Sequence, residues 1–146
     1  MPHSLCQLAV HIIFGLKHHQ RYLNDTFHSY INGIIINHQG HPIAINGTED
    51  HLHILCYLPK SLSMSDFVRT IKSNSAKWFN EKGQGRMQWQ VGYAAFSVSH
   101  TNIDIVKRYI DNQKEHHSKC SFDEEMRRFL AKVGKEDEME KWFRED

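Results

Sequence analysis

The stretch His51-Leu52-His53-Ile54-Leu55-Cys56-Tyr57-Leu58 decides how this chain is read. It is a short apolar run of strand length, preceded by turn-forming Gly47 and Asp50 and closed by Pro59. Strand side chains alternate between faces, so His51 and His53 point one way and Leu52 the other. Working outward, Leu8, Val10, Ile12 and Phe14 recur at period two within Leu5 to Leu16 and predict a first strand. Asn24 or Asp25 can cap a helix from about Thr26 to Asn37, with Phe27, Tyr30, Ile31, Ile34 and Ile35 on one side. Gly40 and Pro42 end it, and His41 to Asn46 forms a second strand. Beyond the histidines, Ser61, Ser63 or Ser65 caps a helix over roughly Met64 to Glu81, closed by Gly83 and Gly85.

Tyr93 to Ser99 reads as a fourth strand, and Thr101 or Asn102 caps a third helix running through Ile103, Val106, Tyr109, Ile110 and Gln113. A fourth, amphipathic helix follows Ser121, with Phe122, Met126, Phe129 and Leu130. The order is β-α-β-β-α-β followed by helices. That is the α+β, ferredoxin-like (RRM-like) arrangement, an antiparallel sheet with two helices on one face and the histidine strand central. The extra C-terminal helices, one of them carrying Tyr109, are appended to it. The expectation is one domain over residues 1–146, with a peripheral helical tail from about 121 to 146 in which Trp142 and Phe143 dock.

Composition narrows the class. Of 146 residues, 40% are hydrophobic, 11% aromatic and 24% charged, the profile of an ordinary globular protein. No apolar run spans a membrane, and Met1 to Val10 lacks the layout of a secretion signal. Cys6, Cys56 and Cys120 form no CxxC pair and suit a reducing, cytoplasmic setting without disulfides. Net charge is only +1, so any nucleic-acid surface must be local.

Two imidazoles on one strand face make half of a divalent-metal site. With 12 histidines in the chain, a pair on a solvated sheet face is the competing explanation. Tyr109 and Gln113 lie four apart, one turn along the third helix. They can be a core aromatic and a solvated amide. They can also be a nucleophile and a carbonyl ligand for the metal. Tyrosine is a weak nucleophile near its ordinary pKa of about 10. It needs a metal that polarises the electrophile and stabilises charge on phosphate oxygens.

Five blocks carry a family resemblance. Glu49-Asp50-His51-Leu52-His53-Ile54-Leu55 resembles the His-hydrophobic-His (HUH) motif of bacterial insertion-sequence transposases with a single catalytic tyrosine, relatives of the REP-associated tyrosine transposases. The likeness continues through Ile71 to Ala76, Trp89 to Ser99, Tyr109 to His117, and Ser121 to Met126. It implies an enzyme that cuts and rejoins single-stranded DNA at element ends folded into imperfect hairpins. Carried onto this chain, it implies that His51, His53 and Gln113 bind Mg²⁺ or Mn²⁺. Tyr109 would attack phosphorus, keep a 5′-phosphotyrosine link and release a 3′-hydroxyl, with no need for ATP. It further implies a homodimer, in some members with the tyrosine helix of one subunit completing the site of the other.

DNA contact requires local cations. Arg69 and Lys72 lie three apart on the second helix, Lys77 extends that patch, and Lys107 and Arg108 flank the tyrosine. The resemblance favours Lys72 and Arg108 as DNA contacts; a solvated charged face is the alternative. His116 and His117 read as helix-end caps or an added contact. Two other functional readings stand beside the transposase: a non-catalytic or domesticated hairpin-DNA-binding protein on the same scaffold, and a small metal-binding protein unrelated to DNA.

Overall fold

A computed structural model describes residues 4–117 and 119–138. Four strands form one antiparallel sheet in the order β2-β3-β1-β4: β1 is Ala9–Gly15, β2 His41–Gly47, β3 His51–Tyr57 and β4 Ala94–Ser97. The histidine strand is therefore central, flanked by β1 and β2, as expected. Helix α1 (Asp25–Asn37) begins where the Asn24 side chain accepts the Phe27 N–H at 2.9 Å. Helix α2 (Met64–Glu81) begins where the Ser63 hydroxyl accepts the Asp66 N–H at 3.1 Å. Each cap satisfies a backbone donor that has no partner inside its helix.

The pairing register sorts β1 and β3 into two faces. Phe14 lies opposite Leu52, Ile12 opposite Ile54 and Val10 opposite Cys56. This face meets Phe27, Ile31 and Ile35 of α1 and Phe67, Val68, Ile71 and Phe79 of α2 in the main core. The other face pairs Gly15 with His51, Ile13 with His53 and His11 with Leu55. It is buried too, contrary to the picture of helices on one side only. Helix α5 (Phe122–Lys132) packs Phe122, Met126 and Leu130 against Ile13. Helix α3 (Ile103–Asp111) packs Ile110 against Leu55 and Ala44. A central strand covered on both faces loses the apolar/polar alternation of a half-exposed one, which is why Leu52, Ile54, Leu55 and Cys56 are all buried.

Two expectations need correction. Strand β4 is shorter than Tyr93 to Ser99. The third helix does not run unbroken through Gln113: α3 stops at Asp111, Asn112 forms a turn, and a short α4 (Gln113–His116) resumes the chain. Helix α5, within the stretch expected to be peripheral, buries its apolar stripe in the core. Trp142 and Phe143 lie outside the described residues. Among the described residues no helix is long and apolar enough to cross a membrane.

Candidate active site

The site is built on the second sheet face, beneath α3, α4 and α5. Residue 15 is glycine for a local reason: a Cβ there would stand 3.1 Å from Asp50 O and 3.1 Å from Phe122 Cε2. Its absence lets the Phe122 ring stack on His51, with centroids 4.1 Å apart. His51 is held from behind. Its Nδ1 lies 2.8 Å from Asp50 Oδ1 and 2.9 Å from Thr48 Oγ1, and the Thr48 hydroxyl donates to the same carboxylate oxygen at 2.7 Å. A carboxylate on Nδ1 fixes the ring so that Nε2 faces inward. His53 is held likewise by His11, whose Nε2 lies 2.8 Å from His53 Nδ1.

Both inward nitrogens meet Glu125, an α5 side chain that is only 1% exposed. Glu125 Oε1 lies 2.9 Å from His53 Nε2, 3.0 Å from His117 Nε2 and 3.4 Å from His51 Nε2. His51 Nε2 and His117 Nε2 are themselves 3.0 Å apart. The other carboxylate oxygen, Oε2, accepts the Tyr109 hydroxyl and the Gln113 Nε2–H, the latter at 2.9 Å. Gln113 is fully buried, and its amide oxygen has no hydrogen-bond partner among the described residues. The predicted set of His51, His53, Tyr109 and Gln113 thus converges on one carboxylate within a single chain.

The electrostatics follow from burial and from these contacts. Desolvation pushes His53 down to about 4 and His11 to about 3, so both rings are neutral. Burial opposes charge on His51 as well, but its hydrogen bonds to Asp50 and Glu125 outweigh that and raise its pKa. Burial also works against the Glu125 carboxylate, yet the His117, His51 and His53 contacts hold its pKa far below the usual range. Tyr109 is raised above an ordinary phenol, first by burial and then by its hydrogen bond to the anion. In this state the tyrosine keeps its proton.

The residues fit a divalent cation. Four donor atoms from His51, His53, His117 and Glu125 lie within 4.8 Å of one another. The separations of 2.9–3.4 Å around Glu125 Oε1 and between the two imidazoles match the edges of a coordination polyhedron with bonds of about 2.1 Å. Glu125 was not picked out from the sequence, and His117 was read only as a helix-end cap or an added contact. Glu125 left one trace there: an acid at the centre of the apolar stripe Phe122, Met126 and Phe129, where an unpaired carboxylate would be costly.

Of the expected DNA contacts, the three on α2 lie apart from this centre and Arg108 adjoins it. The Lys72 ammonium donates to the carbonyls of Gln90 (2.8 Å) and Gly92 (2.5 Å) and sits over Phe14, on the other face of the sheet. Arg69 pairs with Asp66 on exposed α2 surface, and Lys77 is exposed on the same helix. Arg108 is exposed beside Tyr109. A cavity of about 510 Å³ opens next to the tyrosine, walled by His11, Val106, Tyr109 and Phe129 and edged by Arg128 and Lys132.

The IS200-like transposase family model matches residues 4–113, a span that contains His51, His53, Tyr109 and Gln113. This chain belongs to the IS200-like transposase family. It is 24% identical over 120 residues to the ISDra2 transposase TnpA of Deinococcus radiodurans, covering 75% of this chain and 86% of that protein. Its fold is similar to that of a candidate transposase of D. radiodurans R1 (TM-score 0.59, 22% identity, 77% of this chain and 95% of that one). It is also similar to a REP-associated tyrosine transposase bound to a REP hairpin (TM-score 0.60, 15% identity, 80% and 72%). The family places the chain among DNA-processing enzymes. The family match ends at Gln113, so His117 and Glu125 lie beyond it.

Proposed function

We propose that this transposase cuts and rejoins single-stranded DNA at hairpin-forming element ends, through a covalent tyrosine intermediate and with a divalent metal. One observation carries the reading: the Tyr109 hydroxyl and the inward nitrogens of His51 and His53 meet on the same buried carboxylate. A nucleophile and metal donors then address one phosphate. The REP hairpin on the structural relative supports DNA of that form as the substrate.

His51 and His53 would hold the metal through Nε2, each ring fixed by its partner on Nδ1. The unpartnered Gln113 amide oxygen supports its role as a neutral third ligand. A bound Mg²⁺ or Mn²⁺ supplies Lewis-acid polarisation of the scissile phosphate. Tyr109 Oη attacks phosphorus, the bond from phosphorus to O3′ breaks, and the 5′-phosphate stays on the tyrosine. The phenolic proton leaves along its existing hydrogen bond to Glu125, and the departing O3′ takes a proton from solvent. A 3′-hydroxyl from a second cut strand reverses the step and seals the new junction. Arg108, beside the nucleophile, and Arg128 and Lys132, at the cavity edge, would meet phosphates on the strand. Two subunits act together as a homodimer.

The test uses single-stranded DNA from the flanks of the protein's own gene, with Mn²⁺ or Mg²⁺. The wild type forms a denaturation-resistant protein–DNA adduct. Tyr109→Phe binds the hairpin but forms none. Hairpin binding by the wild type with no cleavage in any metal would instead mark a non-catalytic binding protein.

A further inference from the structure

We propose that His117 and Glu125 are themselves metal ligands, so that the centre adds an imidazole and a carboxylate to His51, His53 and Gln113 and selects a transition ion over Mg²⁺. The proposal deepens the metal-dependent reading above and rests on it. His117 directly follows the short α4 and Glu125 lies on α5, both beyond the part of the chain that matches the family model.

Three observations converge. First, His117 Nε2 stands 3.0 Å from His51 Nε2. Asp50 on Nδ1 of His51 makes that ring's Nε2 a lone-pair donor, so a second ring nitrogen aimed at it shares a proton or shares a cation. Second, Glu125 Oε1 lies within 3.4 Å of the Nε2 atoms of all three histidines, so one atom near the centre of the group carries its negative charge. Third, the site is dry: His51 and His53 are 0% exposed and Glu125 1%. Removing a carboxylate from water is costly, and a cation shared with the three imidazoles compensates for it.

The donor set also says which cation. Mg²⁺ favours oxygen ligands and retains waters, whereas imidazole suits transition ions such as Zn²⁺, Fe²⁺ and Ni²⁺; Mn²⁺, the weakest binder of that divalent series, serves as the spectroscopic probe for it. Glu125 serves two partners at once. With Oε1 on the metal, Oε2 still accepts the Tyr109 hydroxyl and the Gln113 amide. One carboxylate then links the cation to the nucleophile, and Gln113 acts in addition as the group that orients it.

Metal binding to DNA-free protein tests this independently of any cleavage. Mn²⁺ is titrated into the full chain and followed by the loss of the free-ion electron paramagnetic resonance signal. His117→Ala and Glu125→Gln are each expected to weaken Mn²⁺ at least tenfold, and Mg²⁺ to bind wild type at least tenfold more weakly than Mn²⁺. Mn²⁺ affinity within about twofold of wild type in both variants would overturn the proposal, as would equal affinity for the two ions. An anomalous-scattering map of crystals of the Mn²⁺-loaded wild type gives the same answer without a substitution. The expected peak is bonded to His51, His53, His117 and Glu125. A peak held by His51 and His53 with His117 and Glu125 turned away would refute it. Failure to form a DNA adduct would strike the proposed function and leave these results standing.

Discussion

Acidification should destabilise this protein well above the pH at which carboxylates titrate. His11 and His53 are buried and neutral, with pKa values lowered to about 3 and about 4 against the ordinary 6.5. Above pH 6.5 neither the folded nor the unfolded chain protonates them, so they contribute no slope. Below it the unfolded chain binds a proton at each ring and the folded chain does not. Stability therefore falls by about 1.4 kcal/mol per pH unit for each histidine. From about pH 7.5 to about pH 5 the pair removes about 4 kcal/mol, a large part of the 5–15 kcal/mol typical of a domain. His28, lowered chiefly by burial, works in the same sense. His51 is raised, so its contribution is complete below pH 6.5 and adds no slope there. Asp50 and Glu125 are depressed, and their contributions are lost only at lower pH. The assay is urea unfolding of metal-free protein at both pH values and constant ionic strength. His11→Leu should cut the pH-dependent loss to about 2 kcal/mol, whatever it costs at neutral pH. Equal stability at the two pH values, or an undiminished loss in the variant, would refute the reasoning.

Other outcomes follow from particular contacts. Lys72→Met should destabilise by about 1–3 kcal/mol, because two backbone carbonyls lose a charged donor, while the salt dependence of hairpin binding stays unchanged. Arg108→Ala should leave the melting temperature unchanged and lower the salt slope of DNA affinity by about one, read by fluorescence anisotropy across a salt series. Asn24→Ala removes the cap of α1 and should cost about 1 kcal/mol in chemical denaturation, with metal binding intact.

Much of this arrangement was legible in the residues, for reasons that are local. The period-two pattern from Leu8 to Phe14 and the caps at Asn24, Ser63 and Ser121 are short-range signals, and each element begins where they indicate. The shared face of His51 and His53 follows from strand geometry alone. The break at Asn112 was not legible, because nothing in Ile110-Asp111-Asn112-Gln113 forbids a continuous helix. Nor was the closeness of α5 to β3, since Glu125 and His53 are 72 positions apart and no spacing rule connects them. Glu125 sits on the stripe Phe122, Met126 and Phe129, a signal of a buried partner that no spacing identifies. The carbonyls that Lys72 serves were not legible either, since Gln90 and Gly92 lie 18 and 20 positions along the chain.

The central claim is that Tyr109 is the nucleophile of a covalent DNA intermediate. Mass-spectrometric peptide mapping of the trapped adduct addresses it most directly, because the chain offers five tyrosines and only one lies at the histidine centre. The account predicts a nucleotide-bearing peptide modified at Tyr109, joined through a 5′-phosphate. Modification at Tyr22, Tyr30, Tyr57 or Tyr93, or cleavage that leaves no protein–DNA bond, would contradict it.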